Sequence, residues 1–105
     1  MSPWAWLGLA SAAEVVWSQS IKPTEGFTRL WPTLFCLALT AAVVLPLERA
    51  MRDLPVGTAY VVFTGIGGLG ALSLGIAFSG DPLTLARIAG ALLVVAGVAT
   101  LRAAA

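Results

Sequence analysis

Between Gly57 and Phe78 the chain reads GTAYVVFTGIGGLGALSLGIAF, with no charged side chain anywhere in it. An α-helix needs roughly 20 predominantly apolar residues to cross about 30 Å of hydrocarbon, so this run is predicted to span a membrane. The pattern repeats on both sides of it. Charged residues and prolines divide the sequence into four apolar runs, at about 4–21, 30–47, 57–78 and 84–101. The connections at 22–29, 48–56 and 79–83 are short. Strands are a poor alternative, because a membrane barrel needs at least about eight of them. The reading is therefore an all-α integral membrane protein. Residues 1–105 form a single domain of four transmembrane helices, with nothing left over for a soluble domain.

Composition agrees. Of 105 residues, 59% are hydrophobic and 10% charged, against about 25% charged in soluble domains. Mean hydropathy is +0.95. These values exclude a disordered chain, a nucleic-acid binder and an ordinary cytosolic enzyme. With no His and one cysteine, Cys36, there is no Cys/His zinc site, no Fe–S site and no internal disulfide, so no metal or bound cofactor is expected. No Ser–His pair or pair of carboxylates suggests hydrolysis. The first run lacks a basic leader and is interrupted by Glu14, so it reads as a span and not as a signal peptide.

Trp4 and Trp6 open the first run, and Trp31 beside Pro32 opens the second, as headgroup-level anchors. The six Lys and Arg divide three and three. Arg49, Arg52 and Arg102 share one side, and Lys22, Arg29 and Arg87 the other. Cytoplasmic positive charge normally sets orientation, and here it has no preference. The chain is expected to insert both ways up, which lets oppositely inserted copies pair antiparallel. The alternative is that the first span or another factor sets orientation regardless of charge.

Ten of the eleven charged residues lie in loops or at span ends; Glu14 lies within the first span. A mid-membrane acid costs roughly 2.5–3.5 kcal/mol on insertion scales, so something must offset it. Desolvation disfavours the charged carboxylate, which poises the group to hold a proton or to release it for a cation. A neutral Glu hydrogen-bonded inside the bundle is the structural alternative. Trp17 and Ser18 follow Glu14 by three and four residues on its helical face, with Leu7 and Ala10 before it. Trp17 either stacks on a cation or packs, and Ser18 faces the same site or bonds its own helix. In the third span Tyr60, Phe63, Thr64, Gly67 and Ala71 share a face. A buried Tyr60 hydroxyl wants a partner, and Glu14 is the one intramembrane carboxylate, within or across subunits. Otherwise Tyr60 sits at headgroup depth.

Gly65-Ile66-Gly67-Gly68-Leu69-Gly70 satisfies G-x-G-x-x-G, but no strand precedes it, so it is no dinucleotide site. Gly67, Ala71 and Gly75 form a small-residue packing face, and the cluster at Gly65 and Gly67 also suits a hinge. Gly90 and Gly97, a heptad apart with Leu93 and Val94 between them, suit a dimer seam or ordinary packing within the bundle. One four-helix bundle with one intramembrane acid has little room for a polar path. Two copies, eight helices and two Glu14 side chains are the smallest arrangement that encloses an exchange cavity.

The chain resembles the small multidrug resistance family of proton-coupled exporters, and within it most closely the guanidinium-exporter branch. The residues that carry the resemblance are Glu14-Val15-Val16-Trp17, Lys22 with Gly26-Phe27-Thr28-Arg29-Leu30, and Leu54-Pro55-Val56-Gly57-Thr58-Ala59-Tyr60. Thr64-Gly65-Ile66-Gly67, Asp81-Pro82-Leu83-Thr84 and the Gly90/Gly97 seam complete it. The resemblance implies an antiparallel dimer in a bacterial plasma membrane. Protons and a small organic cation would compete there for Glu14, driven by the proton gradient. It implies that Trp17 lies near the carboxylate, that Tyr60 hydrogen-bonds toward it, and that Gly65 and Gly67 mark the bend of the third span. Two positions depart from the pattern. The family usually has Trp where this chain has Phe63, and the branch usually has Ser where it has Val43. Both are expected at the cavity, where they favour substituted guanidines over guanidinium itself. A quaternary ammonium exporter, one subunit of a heterodimer with a paralogue, and a non-transporting membrane subunit are the competing readings.

Overall fold

A computed structural model of the chain describes residues 2–104. Four helices run in order: α1 (Pro3–Ser20), α2 (Leu30–Met51), α3 (Val56–Phe78) and α4 (Leu85–Ala104). A 3-10 turn, Lys22–Thr24, follows α1. Three of the helices, α2, α3 and α4, are long and apolar enough to cross a membrane. The first is the least apolar, because Glu14, Gln19 and the serines at 11, 18 and 20 dilute it. Its 18 residues still reach roughly 27 Å at 1.5 Å per residue, close to the hydrocarbon thickness. Four helices thus stand where four spans are expected, and the one that falls short of a span's apolarity, α1, carries the only acid inside an apolar run.

Local chemistry sets the ends. The Ser2 hydroxyl oxygen accepts the Ala5 N–H at 3.2 Å, and Pro3 supplies a first helical residue that needs no partner. After α1 the chain reverses through three consecutive left-handed residues, Glu25 (φ 48°), Gly26 (φ 75°) and Phe27 (φ 65°). That conformation costs a non-glycine residue about 1–2 kcal/mol. Buried Thr24 offsets it. Its carbonyl accepts the N–H groups of Thr28 and Arg29 at 3.0 and 3.2 Å, and its hydroxyl accepts that of Phe27 at 3.3 Å. The helix α2 runs past the expected end at 47, because Glu48 and Arg49 point outward and do not interrupt the backbone ladder. Glu48 pairs with Arg52 at 3.0 Å, an exposed i,i+4 bridge worth about 0.3–0.5 kcal/mol. The Thr84 hydroxyl accepts the Arg87 N–H at 3.2 Å and starts α4.

The core is the seam of α1, α2 and α3. Leu7 and Ala10 meet Val43, Leu47, Ala50, Ala59, Val62 and Phe63 there, all buried. In lipid such a seam gains from close packing and not from the hydrophobic effect, since the tails are as apolar as the side chains. Trp4 and Trp6 also pack partly buried against this cluster, so they are more than headgroup anchors. Trp31, at the start of α2, is 77% exposed and packs on nothing in the core. The backbone of α4 approaches α3 alone, and none of its residues is buried. At one end the Arg102 guanidinium lies 5.2 Å from the centre of the Trp4 ring. That contact brings the start of α1 and the end of α4 to the same side, as the four-span reading requires.

Candidate functional site

Helical spacing decides which side chains meet. Along α1, Glu14 and Trp17 are three residues apart. Along α2, Thr40, Val43, Val44 and Leu47 recur every three or four, and along α3 Tyr60, Phe63 and Thr64 do the same. Packed together, these nine residues line one cavity of about 270 Å³. That is just below the roughly 300–1,000 Å³ of sites for drug-sized ligands, so a single chain offers room for a small molecule. The walls are aromatic and aliphatic, and Glu14 is their one carboxylate.

The carboxylate reaches this position because α3 has no side chain in the way. A Cβ on Gly67 would lie 2.7 Å from Glu14 Cγ and 3.2 Å from Glu14 Cβ. Gly67 therefore admits the stem of Glu14 between α1 and α3. Gly65 does the same for the opposite neighbour, where a Cβ would lie 2.7 Å from Val98 Cγ2 and 3.4 Å from Val94 Cγ1 of α4. The helix is continuous through both glycines, with no break at the expected hinge. Val94, expected in the seam with Gly90 and Gly97, turns toward α3 instead. Nothing lies within 4 Å of a Cβ on Gly90 or Gly97, so that face of α4 is open.

Five of the six sequence-predicted binding residues line the cavity: Glu14, Trp17, Val43, Tyr60 and Phe63. Ser18 does not. Its hydroxyl donates to the Val15 carbonyl at 2.6 Å, bonded to its own helix, the alternative that its position left open. Phe63 is buried against Tyr60, with ring centroids 6.0 Å apart and planes tilted by 49°. Tyr60 is 52% exposed, and no hydrogen bond joins its hydroxyl to Glu14 within the chain. Both groups nevertheless face the same space.

Thr40 was not foreseen. Its hydroxyl oxygen accepts the Trp17 indole N–H at 3.0 Å, and its own O–H donates to the Cys36 carbonyl at 3.0 Å. The signal was present: Thr40 is the one hydroxyl between Leu34 and Leu47, three residues before Val43. Val44 and Leu47, on the same wall, carry no such mark, because an aliphatic residue reads alike at a cavity and in a lipid-facing position.

Comparison with known proteins is consistent along the length of the chain. A family described as Small Multidrug Resistance protein matches residues 2–94. A protein of Citrobacter freundii named guanidinium exporter is 44% identical over 99 residues, covering 94% of each chain. Guanidinium exporters of Yersinia pseudotuberculosis and of Salmonella typhimurium strain LT2 are 43% and 40% identical over 99 residues. They cover 94% of this chain and 95% and 94% of their own. With three helices that satisfy the length and apolarity of a span, the chain is a multi-pass bacterial membrane protein.

Proposed function

The chain belongs to the small multidrug resistance family, and from that premise we propose that it exports small guanidinium-type cations in exchange for protons. The observation that carries the reading is the meeting of one intramembrane carboxylate, Glu14, with the rings of Trp17, Tyr60 and Phe63 around one small cavity. A cation that leaves water loses hydration, and in a low-dielectric site a fixed negative charge and ring faces offset that loss. Glu14 supplies that charge when it has no proton. Proton and cation cannot both neutralise the same carboxylate, so binding one expels the other. Coupling follows from that exclusion, provided the site opens to one side at a time. No cofactor is needed beyond the proton gradient.

The working unit is an antiparallel pair. One chain leaves its cavity open on one face and α4 without a buried residue, with Gly90 and Gly97 unobstructed. The balanced Lys and Arg allow a second copy to insert upside down, and a paralogous subunit is the alternative partner. Across such a pair Tyr60 of either copy finds the carboxylate that it lacks within its own chain. Gly65 and Gly67 are the residues at which α3 bends as the pair alternates. They have no side chain to obstruct a change in how α1 and α4 lie against it.

Val43 and Phe63 favour a second, narrower reading of the substrate. Both are apolar on the cavity wall, so alkyl substituents on a guanidinium, or a quaternary ammonium, gain contact there. The decisive experiment is substrate-evoked current in proteoliposomes carrying Glu14→Gln. The variant keeps shape and hydrogen bonding but holds no charge. It is expected to fold and to carry no proton-coupled current, and retained substrate-driven current refutes antiport at Glu14.

A further inference from the structure

We infer that Thr40 is a specificity-determining positioning residue: it takes the indole N–H of Trp17 and so turns a hydrogen-bond donor away from the cation. The inference rests on the cavity being a cation site. Its starting point is the direction of the hydroxyl and N–H groups on the cavity wall. Trp17 Nε1 donates to Thr40 Oγ1 at 3.0 Å, and Thr40 Oγ1 donates in turn to the Cys36 carbonyl at 3.0 Å. The chain of donors therefore ends on the backbone of α2. On the facing wall the Thr64 hydroxyl donates to the carbonyls of Tyr60 and Val61, at 2.9 and 3.1 Å. Among the described cavity-lining side chains, Tyr60 alone has an O–H without a partner in its own chain.

This pattern matters because of what the ligand carries. Guanidinium and alkylguanidinium ions have N–H donors and no acceptor. An indole N–H free in the cavity would meet donor with donor, and would compete with the cation for the one carboxylate there, Glu14. Bound to Thr40, the indole offers the ligand its π-face, which attracts a cation. Threonine suits the task for a specific reason. Its O–H reaches back to the carbonyl four residues earlier, and the same oxygen keeps a lone pair for Trp17. Val43, one turn further on, has no hydroxyl to do this.

The test reads the hydrogen bond and the transport separately. Of the four tryptophan indole N–H signals in a proton–nitrogen spectrum of the nanodisc-embedded protein, Trp17 is identified by its loss in Trp17→Phe. In Thr40→Val that signal is expected to move upfield and exchange faster with deuterated water, while Thr40→Ser keeps both properties. In proteoliposomes the KM for guanidinium and methylguanidinium is expected to rise about 5-fold in Thr40→Val, the loss of one neutral hydrogen bond, with the maximal current little changed. Thr40→Ser is expected to restore the KM. In a Trp17→Phe background Thr40→Val is expected to have no further effect. An unmoved Trp17 signal and KM in Thr40→Val overturn the inference. So does an equal KM rise in the Trp17→Phe background, which would show that Thr40 acts without the indole. Substrate-driven current in Glu14→Gln would instead remove the cation-site reading beneath it. A silent Glu14→Gln with an unaltered Thr40→Val refutes this inference alone.

Discussion

Gly67→Ala adds one methyl group between α1 and α3, and the geometry gives its consequence. The new Cβ would lie 2.7 Å from Glu14 Cγ, against an optimal carbon–carbon separation of about 3.5–4.0 Å. The Glu14 stem, or the helix that carries it, must yield by roughly 1 Å. Overpacking of this kind costs about 1–3 kcal/mol. The better helix propensity of alanine returns about 1 kcal/mol. The net loss, at most about 2 kcal/mol, leaves the variant folded, so the effect should appear in function. A shift of about 1 Å at a binding carboxylate can cost on the order of 100-fold in rate. Gly68→Ala is the matched control, since nothing lies within 4 Å of a Cβ at that neighbouring position. Both variants would be reconstituted at equal density after size-exclusion and circular-dichroism checks, and substrate-evoked currents compared. Gly68→Ala is expected to match the wild type, and Gly67→Ala to lose most of its current while keeping helical content. Wild-type current in Gly67→Ala would refute the argument that the close approach at Gly67 positions Glu14.

Two further perturbations test the cavity wall and the pairing. Val43→Ser with Phe63→Trp is expected to shift preference from substituted guanidines toward guanidinium, because alkyl groups lose contacts worth up to about 0.8 kcal/mol per buried methylene. Currents for each cation measure this, and a wild type that carries guanidinium and rejects substituted forms contradicts the account of both positions. Two lysines added beside Arg49 are expected to bias insertion to one orientation and to lower activity, with rescue by a copy biased the opposite way. Reporters at residue 105 that show a single orientation in the unmodified chain would exclude self-pairing and call for a paralogue.

Helix number and order were legible because lipid imposes them. Backbone polar groups cannot go unpaired in hydrocarbon, so an apolar run of sufficient length has to be a helix. Glu14 stood out for the same reason, since a charge in the middle of an apolar run is costly, and the structure places it on the cavity wall. The residues of α1 and α3 that face it followed from the helical period. The period also put Ser18 on the Glu14 side, but a serine in a helix has a carbonyl of its own within reach, and that bond decided its direction. Boundaries were less legible. The charged pair at Glu48 and Arg49 ends the apolar run, whereas the helix continues to Met51 because outward charges do not disturb its hydrogen bonds.

By itself, the sequence determined that the chain folds as four helices, that its apolar runs are long enough for a membrane, that one acid interrupts the first of them, and that neither orientation is favoured by charge. Each depends on composition along one chain against a solvent that tolerates little. Only the tertiary structure decided that Gly67 is the slot for Glu14, that Gly65 receives α4, and that Trp17 gives its N–H to Thr40. Those are contacts between residues on different helices, 53, 33 and 23 positions apart for Glu14–Gly67, Gly65–Val98 and Trp17–Thr40. No local pattern encodes the rotation of one helix about its axis relative to the next. That rotation is settled by which small residues let the backbones approach, and it is known only once the helices are packed.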